Sequence, residues 1–292
     1  MEIRPLDDSR CHLGEGPLWD VAEQALYWVD SLAPALYRHD WASGRTRRWD
    51  LPGKGVGSLA VRRDGGLVLA MDRGFHAFDA ATGTTRLIAE PFAGRHLVRF
   101  NDGKVDPAGR FIAGGMHGAV GEGGGPEPVC DMVSLAADGT VRSLLGGFGC
   151  FNGPCFSPDG RTLYVAGRGD LFLIEAFAYD PASGTLGEGR VLIEGIDPDG
   201  CTVDAEGFLW SAQFGAGEIL RIAPDGRIDD RIVLPGQVTA SVMFGGPALD
   251  LMFITTLGRP FWGIEPKAPD AGAVFVVSGS GYRGLPEPRF AG

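Results

Sequence analysis

The sequence predicts an all-β fold, a six-bladed β-propeller with four-stranded antiparallel blades, over residues 1–292 as a single domain. A segment of short apolar strands joined by Gly-rich turns recurs six times, and helical hydrophobic periodicity is not visible over any dozen residues. The segments begin at residues 15, 58, 101, 152, 199 and 241. Their spacing of 42 to 51 residues matches the length of one propeller blade. A β-sandwich, the alternative all-β fold, does not account for six near-equal units.

Turn residues support the assignment of each unit. Asp-Gly and Gly-rich pairs lie between the alternating strands and supply the positive-φ positions that hairpin turns require. We therefore expect four aspartates near these glycines to have structural roles in turns, namely Asp64, Asp159, Asp204 and Asp225.

Composition and charge exclude several classes of partner. The net charge is −11 and the acidic residues outnumber Lys and Arg by 37 to 26, so no basic face is available for nucleic acid or an anionic membrane surface. No 18-residue apolar run and no signal-peptide pattern occur, and we expect a cytoplasmic protein, a monomer or weak homo-oligomer. The odd number of cysteines, without zinc-ligand spacing, predicts buried free thiols at Cys11, Cys130, Cys150, Cys155 and Cys201.

Equivalent positions in the six units predict a ring of side chains around the central channel. The first strand of each propeller blade lines that channel, so the first residue of each unit is expected near one mouth. All six are polar: Glu15, Ser58, Asn101, Asn152, Asp199 and Ser241.

Four of these residues carry strong oxygen donors. Glu15 and Asp199 would repel each other in a channel of low dielectric, and a cation between them would remove that repulsion. Two carboxylates with the amide oxygens of Asn101 and Asn152, and no thiolate or imidazole, suit a hard divalent cation. Each Asn-Gly or Asn-Asp-Gly alone would be read as a turn, but four coincident positions on separate repeats favour a site.

The chain also resembles the SMP-30/gluconolactonase family of regucalcin-like lactonases over nearly its whole length. The resemblance is carried by stretches that are individually weak but jointly specific. They are Gly14-Glu15-Gly16-Pro17-Leu18-Trp19, Arg99-Phe100-Asn101-Asp102-Gly103-Lys104, Phe151-Asn152-Gly153, Pro198-Asp199-Gly200 and Phe244-Gly245-Gly246.

The resemblance implies a metal-dependent lactonase that hydrolyses a sugar lactone to the aldonic acid. It implies a single divalent cation (Ca²⁺, Zn²⁺, Mn²⁺, Mg²⁺ or Fe²⁺) held by Glu15, Asn152 and Asp199, with substrate contacts from Arg99 and Asn101. The cation would polarise the lactone carbonyl, and Asp199 would also be the general base that activates water. The substrate is then a small-molecule lactone rather than a macromolecule.

Several further residues are expected near the site. We expect Asp102 to point away from the channel and fix its loop. His117, and Glu122 within the Gly-rich Gly118–Gly125 stretch, lie where a substrate cavity or a covering loop is expected. The chain departs from the family at Gly167, where relatives usually have Asp, and at Gly114-Gly115-Met116, which bears on sugar preference more than on the cation.

Two other functions remain open from the sequence. The same cation site would suit hydrolysis of another ester or of a phosphotriester. A calcium- or ligand-binding propeller without catalysis is the alternative of a different class, although a simple ion-binding protein has no need of Arg99 and Asn101. A protein-interaction propeller is disfavoured, because such channels lack converging acid and amide groups.

Overall fold

The structure is a computed structural model, in which residues 1–117, 130–169 and 172–292 are described. These residues form 23 β-strands and no α-helix, which confirms the all-β prediction for the described part of the chain. Within those ranges no helix has the length and apolarity needed to cross a membrane. The strands assemble into five antiparallel sheets, arranged as follows.

Strand β1 (Glu2–Pro5) opens the chain, and the first two four-stranded sheets follow it in sequence. One consists of β2 (Gly14–Asp20), β3 (Ala25–Asp30), β4 (Ala35–Asp40) and β5 (Arg45–Asp50). The next consists of β6 (Val56–Val61), β7 (Leu67–Met71), β8 (Gly74–Asp79) and β9 (Thr84–Ala89).

A seven-stranded sheet follows, and the last two sheets have four strands each. The seven strands are β10 (Val98–Val105), β11 (Phe111–His117), β12 (Cys130–Leu135), β13 (Val141–Phe156), β14 (Thr162–Arg168), β15 (Leu173–Asp180) and β16 (Thr185–Glu194). The fourth sheet contains β17 (Pro198–Val203), β18 (Leu209–Gln213), β19 (Glu218–Ile222) and β20 (Ile228–Val233). The fifth contains β21 (Thr239–Gly245), β22 (Leu251–Thr256), β23 (Phe275–Ser278) and β1.

The prediction of six separate four-stranded sheets differs from the five sheets observed, and the difference lies in β13. Its first half pairs with β12 as far as Phe148, and its second half, from Phe148 to Phe156, pairs with β14. The chain bends at Gly147, where φ is +93°, instead of leaving the sheet in a loop. Two of the predicted units therefore share one continuous strand.

The first strand of each repeat packs against the next around a closed ring. Contacts run from β2 to β6, β10, β13, β17 and β21, and β21 returns to β2. Glycines permit this close approach: a Cβ at Gly57 would lie 1.8 Å from the carbonyl oxygen of Asn101, and a Cβ at Gly200 would lie 1.9 Å from Ser241 Oγ. We refer to these six strands as the inner strands.

Every inner strand has a break in register with its hairpin partner at the predicted ring position. The shifts follow Glu15, precede Ser58 and Ser241, and flank Asn152; on the remaining two strands they span the segments 100–103 and 198–201. Such bulges bend a strand and redirect side chains, and they are frequent next to active sites. The register breaks therefore coincide with the polar ring.

Apolar side chains fill the space between neighbouring sheets. Trp28, Trp210, Phe111 and Phe253 are each less than 2% exposed. The prediction of free, buried cysteines is confirmed for all five. Burying this much aromatic and aliphatic surface is the main source of stability for a fold with few charged contacts inside.

The C-terminal segment crosses the face of the ring away from the starts of the inner strands. Arg289 donates hydrogen bonds of 2.7 and 2.6 Å to both carboxylate oxygens of Asp20. Phe290 is 2% exposed within the core between the second and third sheets, and its backbone nitrogen donates to the Val61 carbonyl. Lys104 forms a 3.1 Å ion pair with Glu287, and both side chains are largely buried. The C-terminal segment therefore contacts the first three sheets, which lie far from it in the sequence.

Phe290→Ala should lower the free energy of unfolding by about 3 to 5 kcal/mol, because it empties a fully buried aromatic site. Phe172→Ala is the matched control, since the Phe172 side chain is 54% exposed and its loss should cost less than about 1 kcal/mol. Equilibrium urea denaturation measures both. Equal losses for the two variants would contradict the anchoring role of the segment.

Candidate functional site

One pocket collects the four oxygen-donating residues of the ring. Glu15, Asn101, Asn152 and Asp199 all line it, together with Arg99, and its volume is about 520 Å³ including space open to solvent. The residues come from four different inner strands, β2, β10, β13 and β17. The structure thus brings together all five residues that the sequence singled out. Ser241 instead borders a second cavity deeper in the ring.

The two carboxylates of the pocket are deeply buried and oppose each other electrostatically. Glu15 and Asp199 are each 7% exposed. Burial, and then the charge of Asp102, raises the pKa of Glu15 to about 8. Burial also raises the pKa of Asp199 well above its usual range, and the charges of Glu15 and Asp102 add to the effect. Without a cation, the pocket therefore disfavours ionisation of both carboxyl groups at once.

The amides of Asn101 and Asn152 fix each other's orientation. Asn101 Nδ2 donates to Asn152 Oδ1 at 2.6 Å and to the Phe151 carbonyl at 2.9 Å. Asn152 Nδ2 lies 3.7 Å from Cys150 Sγ. With these donors engaged by the protein, the amide groups present oxygens rather than nitrogens for further contacts. A bound cation, or a hydroxyl group that donates a hydrogen bond, requires oxygen atoms in this position.

Arg99 places a desolvated positive charge in the same pocket. Its guanidinium donates to the Phe100 carbonyl at 2.9 Å, and it lies 3.4 Å from Ser31 Oγ. No carboxylate of the described residues lies within 4 Å of it. Burial lowers the pKa of Arg99, and the nearby carboxylate of Glu15 partly offsets this. The remaining guanidinium donors can serve a polar or anionic ligand.

The donor set fits a hard divalent cation better than a soft one. Among the described residues no three His, Cys, Asp or Glu side chains cluster as a metal site, so a cation here must take amide oxygens with the two carboxylates. Glu15, Asn152 and Asp199 supply that combination in one pocket. Positive charge would also relieve the repulsion that raises the pKa of both carboxyl groups.

The position of the Asp102 side chain agrees only in part with the expectation from the sequence. It does tie down loops, because its carboxylate accepts from Gly103 N at 2.7 Å and from Gly153 N at 2.9 Å. However, it does not point away from the channel: it borders the cavity below the site, and burial raises its pKa to about 6. The bulge that follows Phe100 turns Asp102 inward.

Sequence reasoning missed the apolar part of the pocket wall. Phe214, Phe261 and Trp262 line the pocket, as do Met116 and Cys150. Phe214 directly follows β18 and the other two aromatics lie between β22 and β23, so neither position belongs to the repeated ring. The only available signal was the dipeptide Phe261-Trp262 in a loop otherwise rich in Gly and Pro.

The two departures from the family lie at this pocket. Gly167 lines it with φ of +86°, and a Cβ there would lie 1.6 Å from the Cys150 carbonyl oxygen, so this backbone excludes an Asp side chain. Met116 is the register partner of Cys150, and His117 ends the same strand. Glu122, the Gly118–Gly125 stretch and Asp170 lie outside the described residues.

Comparisons with known proteins show the family to which the chain is similar. Residues 13–258 match the family described as the SMP-30/Gluconolactonase/LRE-like region. A 6-deoxy-6-sulfogluconolactonase of Pseudomonas putida is 36% identical over 96% of this chain and 95% of its own. A pentonolactonase of Haloferax volcanii is 32% identical, covering 94% of both chains. The crystal structure of a calcium-binding protein, regucalcin from Agrobacterium tumefaciens, superposes with a TM-score of 0.87 at 29% identity, covering 99% of this chain and 97% of that one.

Glu15→Gln should stabilise the cation-free protein, and increasingly so as the pH rises. The pKa of Glu15 is raised from its usual value to about 8, so the unfolded chain releases this proton first and the wild type loses stability between about pH 4.5 and pH 8. The Glu15→Gln variant has no carboxyl proton to release at this position. We expect its advantage in unfolding free energy to grow by about 1 to 3 kcal/mol between pH 5 and pH 8.5.

The measurement is urea denaturation in the presence of a chelator at both pH values. Asp159→Asn is the matched control, because hydrogen bonds from Ser157 hold the pKa of this exposed turn aspartate below its usual value. Its difference from wild type should not change between the two pH values. A Glu15→Gln difference that is equally independent of pH would contradict the electrostatic description of the pocket.

Proposed function

Because the chain belongs to the SMP-30/gluconolactonase/LRE-like family, we propose that it is a lactonase that hydrolyses a sugar lactone to its aldonic acid with one divalent cation. The observation that carries the proposal is the convergence in one pocket of two buried carboxylates, two oriented amides and an arginine that forms no ion pair within the described residues. Lactonase relatives that match nearly the full chain support the same reaction class.

We assign the cation to Glu15, Asn152 and Asp199. Their oxygens would accept Ca²⁺, Zn²⁺, Mn²⁺, Mg²⁺ or Fe²⁺, because the donor types alone do not select among these ions. When bound, the cation would supply Lewis-acid polarisation of the lactone carbonyl oxygen.

Arg99 and Asn101 would orient the substrate. The free guanidinium donors of Arg99 suit hydroxyl and carbonyl oxygens of a polyol, and Asn101 offers its amide oxygen to a hydroxyl proton. Since Asn101 Nδ2 is held by Asn152 and Phe151, the amide keeps this orientation without the substrate. Preorganised contacts of this kind reduce the entropic cost of binding.

Asp199 would move the proton. It accepts a proton from the attacking water as the water oxygen bonds to the lactone carbonyl carbon. When the bond from that carbon to the ring oxygen breaks, the same proton passes to the ring oxygen, which becomes the hydroxyl of the aldonic acid.

The architecture would be that of a six-bladed propeller forming one domain. We count the seven-stranded sheet as two blades that share β13, since each half of this strand pairs with a different neighbour. The closed ring of six inner strands supports this count. A cytoplasmic location and a monomeric or weakly associated state remain predictions from the sequence.

Hydrolysis should depend on an added divalent cation and on Asp199. Pentono- and hexonolactones are supplied to chelator-treated protein in a pH-indicator assay, and ions are added back singly. We expect restored turnover with at least one ion, and a loss on the order of 10² to 10⁴ in kcat for Asp199→Ala. Asp159→Asn, which alters only an exposed turn, should keep nearly full activity.

Other outcomes would instead support one of the two alternative functions. Tight calcium binding without turnover above spontaneous hydrolysis would indicate a non-catalytic ion-binding propeller. Turnover of a paraoxon-like phosphotriester but of no lactone would indicate a different esterase. Wild-type activity in Asp199→Ala would contradict the proton transfer assigned to that residue.

Arg99→Ala should raise KM for the preferred lactone by about tenfold or more while changing kcat less, because it removes contacts made in both the bound state and the transition state. Arg161→Ala is the control, since this arginine lies in an exposed turn far from the pocket. Steady-state kinetics on the cation-loaded proteins measures both effects. An unchanged KM in Arg99→Ala would remove this residue from the substrate site.

A further inference from the structure

A tight turn between β22 and β23 carries a tryptophan in an unusual backbone conformation. Phe261 and Ile264 exchange backbone hydrogen bonds of 3.1 and 2.9 Å, so residues 262 and 263 form a two-residue hairpin turn. Both have positive φ, +53° at Trp262 and +74° at Gly263. Turns of this kind strongly favour Asn, Asp or Gly at the first position. Trp262 is therefore in a conformation that bulky side chains rarely adopt.

The surroundings of Trp262 place it in the wall of the candidate site. Its indole stacks on Phe261 with 5.2 Å between ring centroids and an interplanar angle of 21°, and Phe214 contacts it edge-on at 6.1 Å. The indole also packs against Met116 and Cys150, on β11 and β13. The turn thus reaches from the fifth sheet to the seven-stranded sheet. Cys150 in turn lies next to the Asn101 and Asn152 amides.

The polar atom of this indole, Nε1, is buried from water and has no hydrogen-bond acceptor among the described residues. A buried donor without an acceptor costs free energy, and backbone strain adds to that cost. Asn at position 262 would relieve the backbone strain, so the stability of the turn does not explain why Trp stands at this position. Strained residues of this kind cluster at binding sites.

We propose that Trp262 contacts the substrate and determines specificity, on the basis of the lactonase function proposed above. The indole face covers the carbon-bound hydrogens of one lactone ring. Arg99 and Asn101 take the polar groups at the other side of the substrate. The substrate class is therefore the lactone of a single sugar with an unsubstituted C–H face.

Trp262→Asn tests this without weakening the turn, because Asn tolerates positive φ. We expect the variant to fold and its dissociation constant for the activating cation to be unchanged. KM for the preferred lactone should rise at least tenfold, with kcat within about threefold. Trp262→Phe keeps an aromatic face of smaller area, and its KM should lie between those of the wild type and Trp262→Asn.

Gln24→Asn is the control, since Gln24 has φ of +48° in the turn between β2 and β3, away from the pocket. Its kinetics should equal those of the wild type. Wild-type KM in Trp262→Asn, with lactone turnover intact, would overturn the role of Trp262 and leave the proposed function standing. A parallel rise in the cation dissociation constant would likewise overturn it, because the effect would then be structural.

A binding measurement separates this proposal from the function on which it rests. An aldonolactam has a ring nitrogen in place of the ring oxygen and resists hydrolysis, so calorimetry reports its binding even if no lactone is turned over. We expect binding to the wild type and at least tenfold weaker binding to Trp262→Asn. Equal binding to both proteins, or no binding to the wild type, would overturn the assignment.

Discussion

The candidate site depends on how closely the inner strands approach one another around the ring. At Gly57 and Gly200 a single methyl group would collide with the neighbouring strand, so closure of the ring requires these glycines. Each inner strand also shifts register with its hairpin partner at the ring position. The bulges direct polar side chains inward, where burial opposes their negative charge and favours either protonation or a shared cation.

This constraint explains which features could be predicted from sequence. The repeated units are local patterns of alternation and turn residues, so the inner strands and their equivalent positions follow from the chain alone. Glu15, Asn152 and Asp199 were found because symmetry-equivalent residues of a closed ring must converge. The roles of these residues in binding and proton transfer remain proposals, because convergence alone does not reveal the reaction.

The features that sequence reasoning missed do not repeat. Strand β1 pairs with β23 across nearly the whole chain, and no local turn signal specifies that pairing. The continuous β13 merges two predicted units, because the strand runs on through Gly147, at a φ of +93°, from one hairpin into the next. Trp262 enters the pocket from the loop between β22 and β23, which is not part of the repeated pattern, and Asp102 turns inward at a bulge. Each depends on tertiary packing rather than on periodicity.

The pairing of β1 with β23 also has a consequence for biosynthesis. Glu2 faces Ser278, so the fifth sheet cannot be completed until almost all of the chain has left the ribosome. Until then β1 has no partner and the toroid stays open, leaving apolar strand edges exposed to other nascent chains. Folding is therefore governed by contacts of long sequence separation, which form slowly.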